Sequence, residues 1–196
     1  MERIVHSVYA EITPNPSTVK YVSDHRICEL PGEFEFDSIN EAKGISPLAE
    51  ELFALPFVDA VYLANNFVTV TKTDNVDWDF INMELREFIR NYLNQGKPVV
   101  QKEQEAKPKK TKIDISQFSA SDLDDQIKAL LDEYVAPAVE SDGGAINFIA
   151  YQEGKVFVEL KGSCNGCPSS EATLKGGIET LLKNHLEGIE EVVAVN

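Results

Sequence analysis

The residues best suited to chemistry are two thiols, Cys164 and Cys167, in the stretch Gly162-Ser163-Cys164-Asn165-Gly166-Cys167-Pro168-Ser169-Ser170. Pro168 is a residue type favoured at the first position of a helix, so Cys167 is expected at or beside a helix N-terminus. Unpaired backbone N–H groups and the positive end of the helix dipole favour an anion there. The same setting lowers a thiol's pKa and makes thiolate available near neutral pH. Thiolates are soft ligands suited to iron–sulfur clusters, zinc and cuprous copper. A single C-x-x-C spacing leaves zinc, a redox disulfide and a cluster all open. A second C-x-x-C or a histidine pair would favour zinc, and the sequence has neither. A thioredoxin-type motif also brings its cysteines to a helix start, but the strand–helix–strand expected ahead of it is missing here.

Other candidates read more plainly. Cys28, in His25-Arg26-Ile27-Cys28, is expected as a small buried hydrophobe rather than a third ligand. His6, His25 and His185 are scattered and share no metal spacing. Ser169, Ser170 and Thr173 have no base motif nearby and suit a helix start. Asp142, Gly143 and Gly144 suit a turn that supports the thiol loop from behind. The chain has three cysteines, an odd and low count that argues against a secreted disulfide scaffold. Three is also too few for one chain to surround a metal site with four thiolates.

The elements that must position the thiol loop follow from periodicity. Lys155 to Lys161 reads as a strand entering it, paired with Ala145 to Tyr151 through a tight turn at Gln152-Glu153-Gly154. Ile127, Leu130, Leu131, Tyr134 and Val135 predict one face of a preceding helix, ended by Asp142-Gly143-Gly144. Pro168 to Leu186 predicts the following helix, with Leu174, Ile178, Leu181 and Leu182 inward. Ile189 to Val195 predicts a last strand. The order is α–β–β–(C-x-x-C loop)–α–β.

The first region predicts strands over Val5 to Ile12 and Thr18 to Val22, separated by Thr13-Pro14-Asn15-Pro16-Ser17. Glu33 to Phe36 alternates as a half-buried strand does. Ser46 and Pro47 suit the N-cap and first position of a short helix. Val58 to Leu63 and Phe67 to Thr71 predict paired strands, and Asp77 to Leu93 an amphipathic helix with its aromatic stripe from Trp78 to Tyr92 in the core. Lys97 to Lys112 carries six lysines, two glutamates and two prolines, the composition of a solvated tether. The fold class is therefore α+β, with two small domains joined by a flexible Lys/Pro-rich linker. The expected boundaries are 1–96, a linker at 97–116, and 117–196.

The chain has 196 residues, is 43% hydrophobic and 26% charged, and so should bury a core. Its net charge of −15 disfavours nucleic acid or an anionic membrane as main partner. Residues 1–96 carry 16 Asp+Glu against seven Lys+Arg, and 113–196 carry 15 against five, so the tether is basic between acidic domains. Met1 to Ala10 has neither a secretory h-region nor Arg/Ser-rich transit character, and the expectation is a cytoplasmic protein.

Asp142-Gly143-Gly144, the hairpin after it, and Gly162-x-Cys164-x-x-Cys167-Pro168-Ser169-Ser170 with Thr173-Leu174 resemble the NifU C-terminal domain of Nfu-type iron–sulfur proteins. The resemblance runs from about Leu123 to the C-terminus. Thr13-Pro14-Asn15-Pro16-Ser17-Thr18-Val19-Lys20-Tyr21, Ser46-Pro47-Leu48-Ala49 and Asn66-Phe67-Val68-Thr69-Val70-Thr71-Lys72 are similar to the Nfu N-terminal domain. The resemblance implies that Cys164 and Cys167 ligate a [4Fe–4S] cluster. Such a cluster takes four thiolates, and two copies facing each other across a two-fold axis would supply them. A [2Fe–2S] form in some states stays open. The implied role is a scaffold or carrier, not an enzyme, that is a homodimer when loaded. It would take the cluster from upstream assembly proteins and deliver it to apo iron–sulfur client proteins, with no nucleic acid or membrane involved. The first domain would dock clients, and a flexible tether spanning about 20–25 Å would hold the cluster domain nearby. A dithiol/disulfide oxidoreductase using the same two cysteines is the alternative, and a zinc-bridged interaction module a third.

Overall fold

The computed structural model describes residues 4–103, 118, 121–166 and 168–195, the side chains of 168–171 excepted. The chain divides into two compact units, each a small α+β domain.

In the first unit, β1 (Val8–Ile12), β2 (Thr18–Ser23), β3 (Glu33–Phe36), β4 (Val58–Ala64) and β5 (Phe67–Lys72) form one sheet in the order β1-β2-β5-β4-β3, with every neighbour antiparallel. Period-two alternation sends one side of each strand into the core. Val19 lies opposite Val70, Val70 opposite Val61, and Leu63 opposite Phe34. Helices α1 (Ile39–Ala42), α2 (Pro47–Phe53) and α3 (Trp78–Asn94) accompany the sheet. Leu48 and Leu52 of α2 and Ile81, Leu85 and Ile89 of α3 are buried against that face. Ser46 caps α2 as its position suggests: its Oγ accepts from the Ala49 N–H at 3.2 Å, and Pro47 follows. Helix α1 has no clear signal in the sequence. The aromatic stripe of α3 is only partly core, since Trp78 and Phe88 are half-buried.

The first domain reaches further than its composition suggests. Val99 and Val100 are each 5% exposed and belong to the first unit's core. The Ser46 hydroxyl donates to the Val99 carbonyl at 2.7 Å, Tyr92 Oη donates to the Pro98 carbonyl at 2.8 Å, and Gln101 N–H donates to Ile45 O at 2.7 Å. Two adjacent valines inside a lysine-rich run are enough to pin five residues that read as tether. The rest of that run, 104–117, lies outside the described residues.

The second unit begins with a helical rod, α4 (Asp124–Leu130), a π-helical turn (Leu131–Val135) and α5 (Ala136–Ser141). The widened turn has a cause at Pro137, whose ring and missing N–H disrupt regular α-helical bonding. Ile127, Leu131, Val135 and Val139 are buried at four-residue intervals, whereas Tyr134 is 53% exposed rather than inward. Strands β6 (Gly144–Gln152) and β7 (Lys155–Gly162) pair antiparallel around Glu153 and Gly154, both at positive φ as a tight two-residue turn requires. Helix α6 (Pro168–His185) crosses over, and β8 (Glu191–Ala194) adds parallel to β7. Ile178 and Leu182 of α6 meet Val156, Val158, Leu160 and Val192 in one core. Among the described residues, no helix is long and apolar enough to cross a membrane.

Val100→Ala should lower the stability of the first domain by about 2 kcal/mol, the cost of deleting buried methyl groups. Lys102→Ala, just beyond the anchored stretch, should change it by no more than about 0.5 kcal/mol. Thermal or urea melts of the two variants check both.

Candidate functional site

The thiol loop springs from the end of the β6/β7 hairpin, where Gly144 pairs with Gly162. Gly162, at φ +62°, turns the chain out of the strand. Two backbone bonds fix the turn: Ser163 N–H donates to Gly143 O at 3.2 Å, and Asn165 N–H to Gly162 O at 3.1 Å. The Ser163 hydroxyl, itself buried, donates to the Asp142 carbonyl. Asp142-Gly143-Gly144 therefore supports the loop through main-chain groups. Gly143 reaches φ +84° to do so, a conformation that suits glycine.

Gly144 makes room for the first thiol. A Cβ at that position would lie 3.0 Å from Cys164 Sγ and 3.2 Å from its backbone nitrogen, and closer still to the Lys161 carbonyl oxygen. No side chain fits there without moving the loop. Cys164 is 7% exposed and packs with the second unit's core. Ser163 Oγ lies 3.8 Å from its sulfur. Cys167 lies outside the described residues; α6 begins at the next residue. Among the described residues, no group of three or more His, Cys, Asp or Glu is placed to hold a metal ion.

The other sequence candidates fall elsewhere. Cys28 is 1% exposed inside the first unit's core, in a loop. Burial pushes its thiol up to about 11, against a smaller opposing pull from Arg26, so at neutral pH it is a protonated thiol and a poor ligand. His6 and His25, far apart in sequence, meet edge-on at 5.7 Å. Burial lowers the His6 pKa, and His25 adds to the effect against Asp24. His185 packs 5.9 Å from Tyr134. Residue spacing carries no sign of these ring contacts, because strand pairing and helix packing create them.

The family described as "Scaffold protein Nfu/NifU N terminal" matches residues 8–96, and the one described as "NifU-like domain" matches residues 127–193. The chain belongs to the NifU-like (Nfu) family. NifU-like protein 4, mitochondrial, of Arabidopsis thaliana is 34% identical over 189 residues, covering 94% of this chain and 64% of the relative. The NFU1 iron-sulfur cluster scaffold homolog, mitochondrial, of Drosophila persimilis is 33% identical over 192 residues, covering 96% and 64%. The chain thus spans somewhat under two thirds of the length of these relatives. Members of the family are named as cluster scaffolds rather than catalysts.

One expectation is corrected. The relatives bear the word mitochondrial in their names, which points away from a generic cytoplasmic location. The cytoplasmic reading rested on the character of the first ten residues. Import leaders are removed on maturation, so the opening residues of a sequence do not by themselves reveal the compartment.

Two results should follow. Gly144→Val should force Cys164 out of its seat, making its thiol react readily with a disulfide reagent while Cys28 stays protected until unfolding. The second concerns alkali: unfolded, the Cys28 thiol ionises near 9; folded, near 11. The folded state therefore holds the proton longer, and stability present below about pH 9 is lost as pH rises toward about 11. Cys28→Ala should flatten that fall in a pH series of melts of the first domain.

Proposed function

We propose that this chain binds an iron–sulfur cluster as cargo through Cys164 and Cys167 and passes it to apo-proteins during their maturation. The observation that supports it best is the seat of Cys164 against Gly144, a soft sulfur fixed in a loop that carries a second thiol. A [4Fe–4S] cluster takes four thiolates. Two copies, each giving Cys164 and Cys167, complete that number across a two-fold axis. The same four sulfurs also suit a [2Fe–2S] core, which iron content separates.

A site shared between copies lets go more easily than four thiolates fixed in one chain. Client thiolates replace Cys164 and Cys167 by ligand exchange, and upstream assembly proteins load the site in the same way. Gly162 and Gly166, at φ +62° and +77°, give the loop joints for that exchange. The role is carriage, with no turnover of substrate. The first domain holds the client, and the linker keeps the cluster domain near it at an effective concentration of roughly millimolar. The names of the relatives support a mitochondrial setting.

Anaerobic reconstitution with iron and sulfide tests the reading. The chain should gain the broad visible absorption of a thiolate-bound cluster, near ~400 nm. Cys164→Ser and Cys167→Ser should each lose most of the bound iron. A serine variant that stays as brown and iron-rich as the parent contradicts the ligand assignment. Removing residues 1–103 should slow delivery to an apo-acceptor without emptying the site.

A further inference from the structure

Strand β1 is an unguarded edge of the first unit's sheet. The opposite edge, β3, has four residues, two of them Glu33 and Glu35, which is how edges are ordinarily protected. Strand β1 has neither proline nor lysine, its one charge, Glu11, lies 3.6 Å from Lys20 of the neighbouring strand, and it exposes Tyr9 at 60% and Ile12 at 93%. Asp24 N–H donates to Ser7 O, and Ser23 N–H donates away from β1 to Asn66 O. The antiparallel alternation then turns the N–H and C=O of Val8, Ala10 and Ile12 outward, away from β2.

Helix α3 runs antiparallel beside this edge. The His6 backbone exchanges two hydrogen bonds with the Asn94 side chain, at 2.9 and 3.0 Å, near the end of the helix. Trp78 at its start donates to Pro16 O, beyond the other end of β1. Between strand and helix lies a cleft of about 420 Å³ lined in part by His6, Tyr9, Arg86, Glu87, Arg90 and Asn94. Arg86 and Arg90 both pair with one carboxylate, Glu87, which leaves a surplus of positive charge in a domain rich in acids. At the helix's other end Phe80 and Met83 are 78% and 73% exposed, and Ile12 ends β1, the strand to which the helix runs antiparallel. The strip is therefore apolar at one end and cationic at the other.

We infer that β1 and α3 form the docking strip for clients: an extended partner segment adds antiparallel to β1, with apolar side chains near Ile12 and Met83 and a carboxylate toward its C-terminal end at Arg86 and Arg90. Main-chain bonds supply the affinity, and the alternate side chains with the arginine pair supply the selectivity. The inference rests on the reading of the first domain as the client holder.

The probe is a fluorescein-labelled nonapeptide alternating valine with threonine and ending in two glutamates, added to the full apo chain. Polarisation should saturate, and the same peptide ending in two lysines should bind at least ten-fold more weakly. Arg90→Glu should reverse that preference. Ala10→Pro removes an outward N–H and should abolish binding. Should it melt the domain, Ile12→Lys, a charge on an already exposed edge residue, should weaken binding instead. Absence of saturation, equal binding of both peptides, or dimerisation of the apo chain that Ala10→Pro or Ile12→Lys removes would overturn the proposal, the last by seating a second copy on the edge. Cluster loading is read separately. A chain that takes up iron yet ignores the peptide sinks the docking strip alone, and one that binds the peptide but takes up no iron on reconstitution sinks the carrier reading alone.

Discussion

The second domain depends on a missing side chain. Gly144 opens β6 against the point where β7 gives way to the thiol loop, and Cys164 occupies the space that a Cβ would need. That contact is steric and short-ranged, so it has little tolerance: a few tenths of an ångström either way shifts the sulfur. Everything around it serves the same seat. The main chain of Asp142 and Gly143 takes the Ser163 hydroxyl and N–H, and the core beneath packs on Cys164. The Cys164 sulfur is thus held in place by backbone geometry.

The other constraint is the number of sulfurs. Cys28 is locked in a separate core as a neutral thiol, which removes it from ligand chemistry. The loop thiols are then too few for a four-sulfur shell within one chain. Two loop thiols per chain suit the proposed sharing of one cluster between two copies, in which closing and opening the site is an assembly step. Iron–sulfur scaffolding, the role in the names of its relatives, is what such an arrangement can do.

Much of this was legible in the residues. Alternation marked the strands, Ser46-Pro47 marked a capped helix, and Glu153-Gly154 marked a hairpin, because each rests on local backbone rules. The thiol loop and its Asp142-Gly143-Gly144 support were visible for the same reason. What escaped depends on contacts distant in sequence. Val99 and Val100 sit in a run whose average composition says tether, and only their place in the first core, with Val99 bonded to Ser46, shows otherwise. The π-helical turn before Pro137 needs a packed rod that cannot simply break. The nearness of Gly144 to Cys164 is a three-dimensional fact, as is the meeting of His6 with His25. The edge at β1 shows only once strand order is known.

The central claim is that two chains enclose one cluster, and native mass spectrometry of the anaerobically loaded protein tests it most directly. The account predicts a dimer carrying a single [4Fe–4S] core. A monomer that carries a whole cluster by itself would contradict it.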